Sequence, residues 1–403
     1  MSDLDEFRLR ARAWLAAQRP PLDMSWGVGS DSVAVFNSLP VAEEAELIRA
    51  ACEWQRLKFD AGFGALMAAE ADGGAGLDQS YERAFRDEEA LIATPPTDEI
   101  LAVTVELVAP TIVRHGSAFL REKYVRALLR ADILCCQLFS EPGAGSDLAS
   151  LTTSAVIDGD YWVVNGQKVW SSGASHSSLG LLIARTERTY PPHRGLTAFL
   201  VPMDTAGIEV RPIRQMTGGH SFNEVFLTDL RIPDNHRLGE VGEGWPVALT
   251  TLQYERERTA MTGVYGMRRT FRRILELVEH YDCARDPLVG QQVVRLYAKV
   301  TGLELLAARV QESLAAGEPP GAEGSTAKLL WTQALREVDA LVEEVLGPEL
   351  TADSGAWGTF SWSQHVLGSP GYRIAGGTDE IQRGIIAERV LGMPREPKLM
   401  VTP

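Results

Sequence analysis

Surplus positive charge is what this chain most lacks. Its 403 residues carry 39 Lys and Arg against 54 Asp and Glu, a formal net charge of -15. Nucleic acids and anionic membranes are bound through excess Lys and Arg, so the balance argues against both as partners. Cysteine is scarce too: Cys52, Cys135, Cys136 and Cys283 have neither metal-site spacing nor a secreted disulfide pattern, which leaves reduced thiols and no metal. No stretch approaches the roughly 18 apolar residues of a membrane span. The opening MSDLDEFRLRARAWLAAQRP is charged and helical, without the apolar centre of a signal peptide, so the expected location is the cytoplasm. There is no GxGxxG fingerprint and no internal repeat, and no Rossmann unit is inferred.

What is present reads in three textures. Hydrophobic residues make up 45% of the chain and charged residues 23%, the balance of an ordinary globular enzyme. Apolar residues recur at helical spacing over 4–17, where Phe7, Ala11, Trp14 and Leu15 share a face, and again over 41–66, 79–94, 101–115 and 119–129. Near Cys135 the pattern shortens into β-rich runs at 153–157, 161–164, 179–184, 196–201, 208–213 and 224–227, with Asp158-Gly159 and Asn165-Gly166 as turn chemistry. Beyond Gly244 long helices return over 245–279, 286–315 and 326–345. A Gly- and Ser-rich segment, 347–377, then leads to a last helix over 378–391. The expected fold is α+β: an N-terminal α-helical domain (1–135), a middle antiparallel β domain (136–238) and a C-terminal four-helix-bundle domain (239–403).

The stretch from Phe139 to Ser172 follows directly on the first junction, a favoured place for a pocket. It opens with FSEPGAGSD and closes with NGQKVWSS, setting small residues, hydroxyls and one Trp where a flat, uncharged ligand can lie. A flavin ring offers acceptors and needs neutral donors; Ser140 and Ser172 supply hydroxyls and the backbone of 137–140 supplies N–H groups. Gly145 has no Cβ to keep the backbone from a ligand, and Ser146 adds a hydroxyl beside it. Alone, EPGAGSD is a tight turn and Trp170 a core aromatic. His176 and His220 read as loop polar groups rather than catalysts.

FSEPGAGSDLASL, NGQKVWSSGA, RPIRQMTGG, FNEVFLTDLRIPD, GEGW and GGTDEIQRGIIAERVLGMPRE, in this order, resemble the acyl-CoA dehydrogenase family over nearly the whole chain, most of all the actinobacterial type acting on fatty, branched or steroid side-chain thioesters. The resemblance implies FAD-dependent α,β-dehydrogenation of an acyl-CoA substrate, with electrons leaving through an electron-transferring flavoprotein. The long C-terminal helices, with a cofactor expected at an interface, suggest a homodimer or homotetramer. Carried over by motif, Gln137, Phe139 and Ser140 line one side of the flavin and Trp170, Ser171 and Ser172 the other. Thr378 and Glu380 become cofactor contacts, although a helix cap and a first-turn carboxylate explain them equally.

Three departures stand out. Many family members carry the catalytic Glu directly before the Gly-Thr pair, where this chain has Gly376; a glycine cannot take a proton, but its N–H can polarise the thioester carbonyl. Other members place the base on a helix of the C-terminal domain, and Glu255 in TLQYERER fits, on a stripe with Ala248, Leu252, Thr259 and Thr262. Burial there would raise its pKa towards the useful range for a base. Glu257 lies on the opposite face, and an E-R-E-R run is otherwise a solvated ladder of i,i+3 pairs. Arg256 matches an Arg that supports the family's site. At 281–292 and 346–372 the family's intersubunit cofactor contacts do not match, and Gln292 alone is retained. Competing functions are a flavin oxidase or monooxygenase, a carrier-protein-linked dehydrogenase, and a non-catalytic subunit of a heteromer.

Overall fold

Phe7, Ala11 and Leu15, one turn apart, are buried along a single face of the first helix, which is why a chain start rich in charge folds at all. The computed structural model describes residues 2–22, 33–36, 38–96, 98–315, 322–355 and 357–395. They fall into two units: Met1–Ser25 with Asn37–Tyr254, and Trp26–Phe36 with Glu255–Pro403.

In the first unit, α1 (Asp3–Gln18) is opened by a capping box between Ser2 and Asp5. α2 (Val41–Asp60) is shorter than the 41–66 expected, because the Phe63 N–H turns back to the Lys58 carbonyl at 2.8 Å and ends it. α3 (Gln79–Glu89) follows. Next come α4 (Glu99–Ala102), a π-helical turn (Val103–Val108) and α5 (Ala109–His115), then α6 (Ala118–Leu120), a second π turn (Arg121–Val125) and α7 (Arg126–Leu129).

The sheet contains β1 (Cys135–Leu138), β2 (Ser154–Asp158), β3 (Tyr161–Ser172), β4 (Leu179–Arg185), β5 (Leu196–Pro202), β6 (Ile208–Ile213), β7 (Phe222–Pro233) and β8 (Arg237–Leu238). Its order is β6-β7-β3-β2-β4-β5-β8, with β1 also on β4. The pairing is antiparallel except for β1 on β4 and one β2–β4 bridge. Leu181 and Ile183 of β4 point into a core built with Leu107, Val108 and Ile112. Leu182 and Ala184 point into another, built with Ile100, Trp162 and Val225. A strand covered on both faces has no polar side, hence its unbroken apolar run.

The expectation for Asn165-Gly166 fails: it is not a turn but lies inside β3, at a register shift against β7. A Cβ on Gly166 would stand 2.3 Å from Thr153 Oγ1, so the glycine serves close strand approach.

In the second unit α8 (Gly244–His280), which begins in the first, continues alongside α9 (Pro287–Ala315), α10 (Glu323–Leu346), α11 (Thr359–Tyr372) and α12 (Asp379–Ile385). Met267, Ile274, Leu296, Val300, Leu335, Val338 and Trp362 form its core. The Gly- and Ser-rich segment over 347–377 thus holds a helix, which the sequence reading did not mark. Gly368 and Gly371 disguised it: a Cβ on either would come within 2.7 Å of Val35 or Phe36, so small residues mark a tightly packed helix face here.

One buried ion pair fixes where the chain passes from β1 to the end of β3. Lys168, with a fully buried side chain, donates to Glu141 Oε1 at 2.9 Å and to the Phe139 carbonyl at 3.0 Å. Glu141 also accepts from the Thr152 N–H, the Thr152 hydroxyl and the Thr153 N–H at 2.7, 2.9 and 2.8 Å. Burial alone would raise the Glu141 pKa, but the Lys168 charge and the threonine donors outweigh it and bring it down to about 2. Burial pulls Lys168 down to about 8 against the opposing pull of Glu141.

Glu141→Gln strands the Lys168 charge and is expected to cost about 3–5 kcal/mol in urea unfolding. The stability carried by Glu141 should be complete above its ordinary 4.5 and lost as pH falls towards about 2. An acid-unfolding curve shared by Glu141→Gln and the wild type would contradict this.

Candidate active site

The ion pair brings the two ends of the flavin stretch together. Past Lys168, the Val169 N–H donates to the Ser140 carbonyl at 2.9 Å, so Ser140 lies beside the Trp170–Ser172 segment. Lys168 pairs with Val225 and Ser171 with Asn223, leaving one extra residue in β3: a bulge. The bulge carries Trp170 in the left-handed region, φ 61, with 60% of its surface exposed and its ring edge-on to Phe222 at 6.2 Å. Ser171 is buried; its carbonyl accepts from Asn223 Nδ2 at 3.0 Å, while its hydroxyl finds no partner among the described residues.

Gln137, in β1, likewise has a buried, unpartnered Nε2. Buried polar atoms without a protein partner are groups that a ligand or water can satisfy. Ser140 and Ser172 are half-buried, Phe139 packs its ring into the core, and Gly145 and Ser146 lie on an exposed turn where a Cβ on Gly145 would meet nothing within 4 Å. Neutral donors beside an exposed indole fit the ring of a flavin. No cluster of three or more His, Cys, Asp or Glu able to hold a metal occurs among the described residues. His176 lies 3.6 Å from buried Glu44, which also accepts from the Ser221 hydroxyl at 3.1 Å; the neighbouring Glu44 carboxylate raises the His176 pKa.

In the second unit the structure joins Glu255 and Gly376. Gly376 has φ +64, and a Cβ built on it would lie 3.0 Å from Glu255 Oε1. The half-buried carboxylate of α8 therefore lies against the position where a side chain on residue 376 would begin. The turn is held from outside: Gln382 Nε2 donates to the Gly376 and Gly377 carbonyls at 2.9 and 3.3 Å, and Lys328 Nζ donates to the Gly377 carbonyl at 2.6 Å. Asp379 Oδ1 accepts from the Thr332 hydroxyl at 2.9 Å and Oδ2 from Arg373 Nε at 3.1 Å.

Thr378 caps α12, accepting from the Ile381 N–H at 3.2 Å, and Glu380 is exposed beside Arg383. The Arg256 backbone passes Gly324 of α10, 3.5 Å separating the Arg256 Cβ from a Cβ built on the glycine. Gln292, on α9, has a buried Oε1 without a partner among the described residues. The side chain of Glu257 lies outside the described residues, as do those of Thr259 and Thr262. Sequence reasoning missed Glu141, Lys168, Lys328, Asp379 and Gln382. Lone charges inside otherwise uncharged runs, as in VNGQKVW and STAKLLW, were the available signal.

Three domain descriptions match in chain order: acyl-CoA dehydrogenase N-terminal domain over 35–132, middle domain over 136–230 and C-terminal domain over 242–391. Acyl-CoA dehydrogenase IpdE1 of Mycobacterium tuberculosis is 36% identical over 399 residues, 99% of this chain and 100% of its own length. A solved structure described as the Tcur3481-Tcur3483 steroid ACAD superposes with a TM-score of 0.78 at 27% identity, covering 98% of each chain. The ChsE4-ChsE5 complex from Mycobacterium tuberculosis gives a TM-score of 0.77 at 28% identity, covering 98% of this chain and 99% of that one. By these matches, which span it from end to end, the chain belongs to the acyl-CoA dehydrogenase family.

Proposed function

We propose that this acyl-CoA dehydrogenase works with FAD and uses Glu255 as the base that removes the α-proton of its thioester substrate. The observation that carries the reading is the Glu255 carboxylate at the vacant side-chain position of Gly376. A base is needed next to the peptide that polarises the thioester carbonyl, and a carboxylate arriving from α8 serves as well as one attached at residue 376 itself. The Gly376 N–H is the proposed donor to that carbonyl, stabilising the enolate that forms when the proton leaves. Gln382 and Lys328 keep the turn from relaxing as charge develops.

Gln137, Ser140, Trp170, Ser171 and Ser172 would hold the flavin, and the Gln137 Nε2 and Ser171 hydroxyl, which find no partner among the described residues, support this assignment. When bound, FAD supplies a two-electron acceptor for the hydride at Cβ. An electron-transferring flavoprotein as the next acceptor, and a homo-oligomeric assembly, rest on the family resemblance. For substrate, the solved relative described as a steroid ACAD favours bulky acyl groups. Anaerobic flavin bleaching against thioesters from butyryl-CoA to steroid side-chain acyl-CoAs tests this choice; a preference for short straight chains contradicts it.

Glu255→Gln is expected to keep the yellow cofactor and lower substrate bleaching by on the order of 10²–10⁴-fold; full turnover would remove Glu255 from the mechanism. Gly376→Ala sets a methyl 3.0 Å from Glu255 Oε1 at a left-handed φ, so it should displace the base and cut turnover while leaving flavin content unchanged. Unaltered turnover in that variant would show the contact to be irrelevant.

A further inference from the structure

A buried ammonium stands behind the Gly376–Gly377 turn. Lys328, on α10, is 3% exposed; its Nζ donates to the Gly377 carbonyl at 2.6 Å and lies 3.9 Å from Asp379 Oδ1. A buried charge is tolerated only when matched and hydrogen-bonded. Asp379 does not match it alone, because its other oxygen is engaged by the Arg373 guanidinium at 3.1 Å. One carboxylate is thus shared between two cations.

The other acidic groups that act on Lys328 are Glu255 of α8 and Glu380 of α12, with Arg373 opposing them. The Glu380 side chain is 75% exposed, so water and salt screen it. Glu255 is half-buried and sits against the same two-residue turn that Lys328 grips. Burial pulls the Lys328 pKa down, and Asp379, Glu255 and Glu380, in that order, pull it back up. Such attraction is mutual: an ammonium that Glu255 favours also favours the Glu255 carboxylate.

We propose that Lys328 is a positioning residue for proton abstraction: it locks the Gly376–Gly377 turn through the Gly377 carbonyl and keeps Glu255 ionised between turnovers. The proposal rests on Glu255 being the base. Burial of that carboxylate against a substrate favours its protonated form, which cannot act as a base. An ammonium bound to the Gly377 carbonyl opposes this.

The test compares the pH profile of anaerobic flavin bleaching by saturating acyl-CoA in the wild-type holoenzyme, Lys328→Met and Lys328→Arg. Lys328→Met is expected to move the acid limb up by about one pH unit, so that bleaching falls about tenfold below the limb and recovers at high pH. Lys328→Arg keeps the charge and should keep the wild-type limb. A second readout needs no turnover: the infrared carboxylate band that disappears in Glu255→Gln should titrate at higher pH in Lys328→Met than in the wild type. A Lys328→Met profile that overlays the wild type, or falls equally at every pH, overturns the proposal.

Should Lys328→Met fail to fold, Lys328→Arg decides: a wild-type limb supports the role, and a raised limb despite the retained charge ends it. The two readings fail separately. Full turnover in Glu255→Gln would sink the base itself, whereas an inactive Glu255→Gln beside an unmoved Lys328→Met limb would sink only the part given to Lys328.

Discussion

Everything placed at the junction of β1 and β3 depends on the Glu141–Lys168 ion pair. Two well-packed apolar side chains can be as stable as a buried pair, so stability alone does not explain it. Its geometry does. Lys168 has three donors, and two of them reach different points on the incoming segment, the Phe139 carbonyl and Glu141 Oε1. Glu141 in turn accepts from Thr152 and Thr153 at the entry to β2. One pair thereby fixes the register of three chain segments. A methionine at 168 would fill the space and bind none of them.

The second unit solves a different problem with the same means. A glycine at 376 gives the turn its left-handed φ and leaves room for Glu255, but a turn with two glycines has no side chains of its own to hold it. Lys328 and Gln382 therefore hold its carbonyls from outside, and Asp379 holds Arg373 while lying near Lys328. The acid and the turn are thus fixed by different helices: Glu255 by α8, the carbonyls by α10 and α12. In the proposed mechanism, separating the base from the chain that polarises the thioester lets each be positioned independently.

Much of this was legible in the sequence where periodicity is strong. The long C-terminal helices and most strands lie where apolar spacing puts them, and Thr378 caps its helix. Reading failed where one residue type serves two purposes. Gly166 looks like half of a turn but permits a strand to approach Thr153; Gly368 and Gly371 look like loop but let α11 pack on Val35 and Phe36. β1 went unnoticed because four residues are too few for a period. The motif letters themselves were visible, but not that Glu141 and Lys168 meet, since 27 residues separate them and no local pattern encodes the contact.

Trp170 shows how a local violation separates function from folding. A bulky residue held at φ 61 costs on the order of 1–3 kcal/mol. The strand enforces it from both sides, through Val169 on the Ser140 carbonyl and Asn223 on the Ser171 carbonyl, so the extra residue of the bulge must project. Folding gains nothing from the outcome: 60% of the indole faces outward, although burying it would stabilise the protein. A core aromatic would do the opposite, sitting at ordinary φ with its ring covered. Strain combined with an exposed flat ring, next to buried hydroxyl and amide groups that find no partner among the described residues, is what a stacking surface for a planar ligand requires. On that ground Trp170 belongs to the proposed flavin seat rather than to the core.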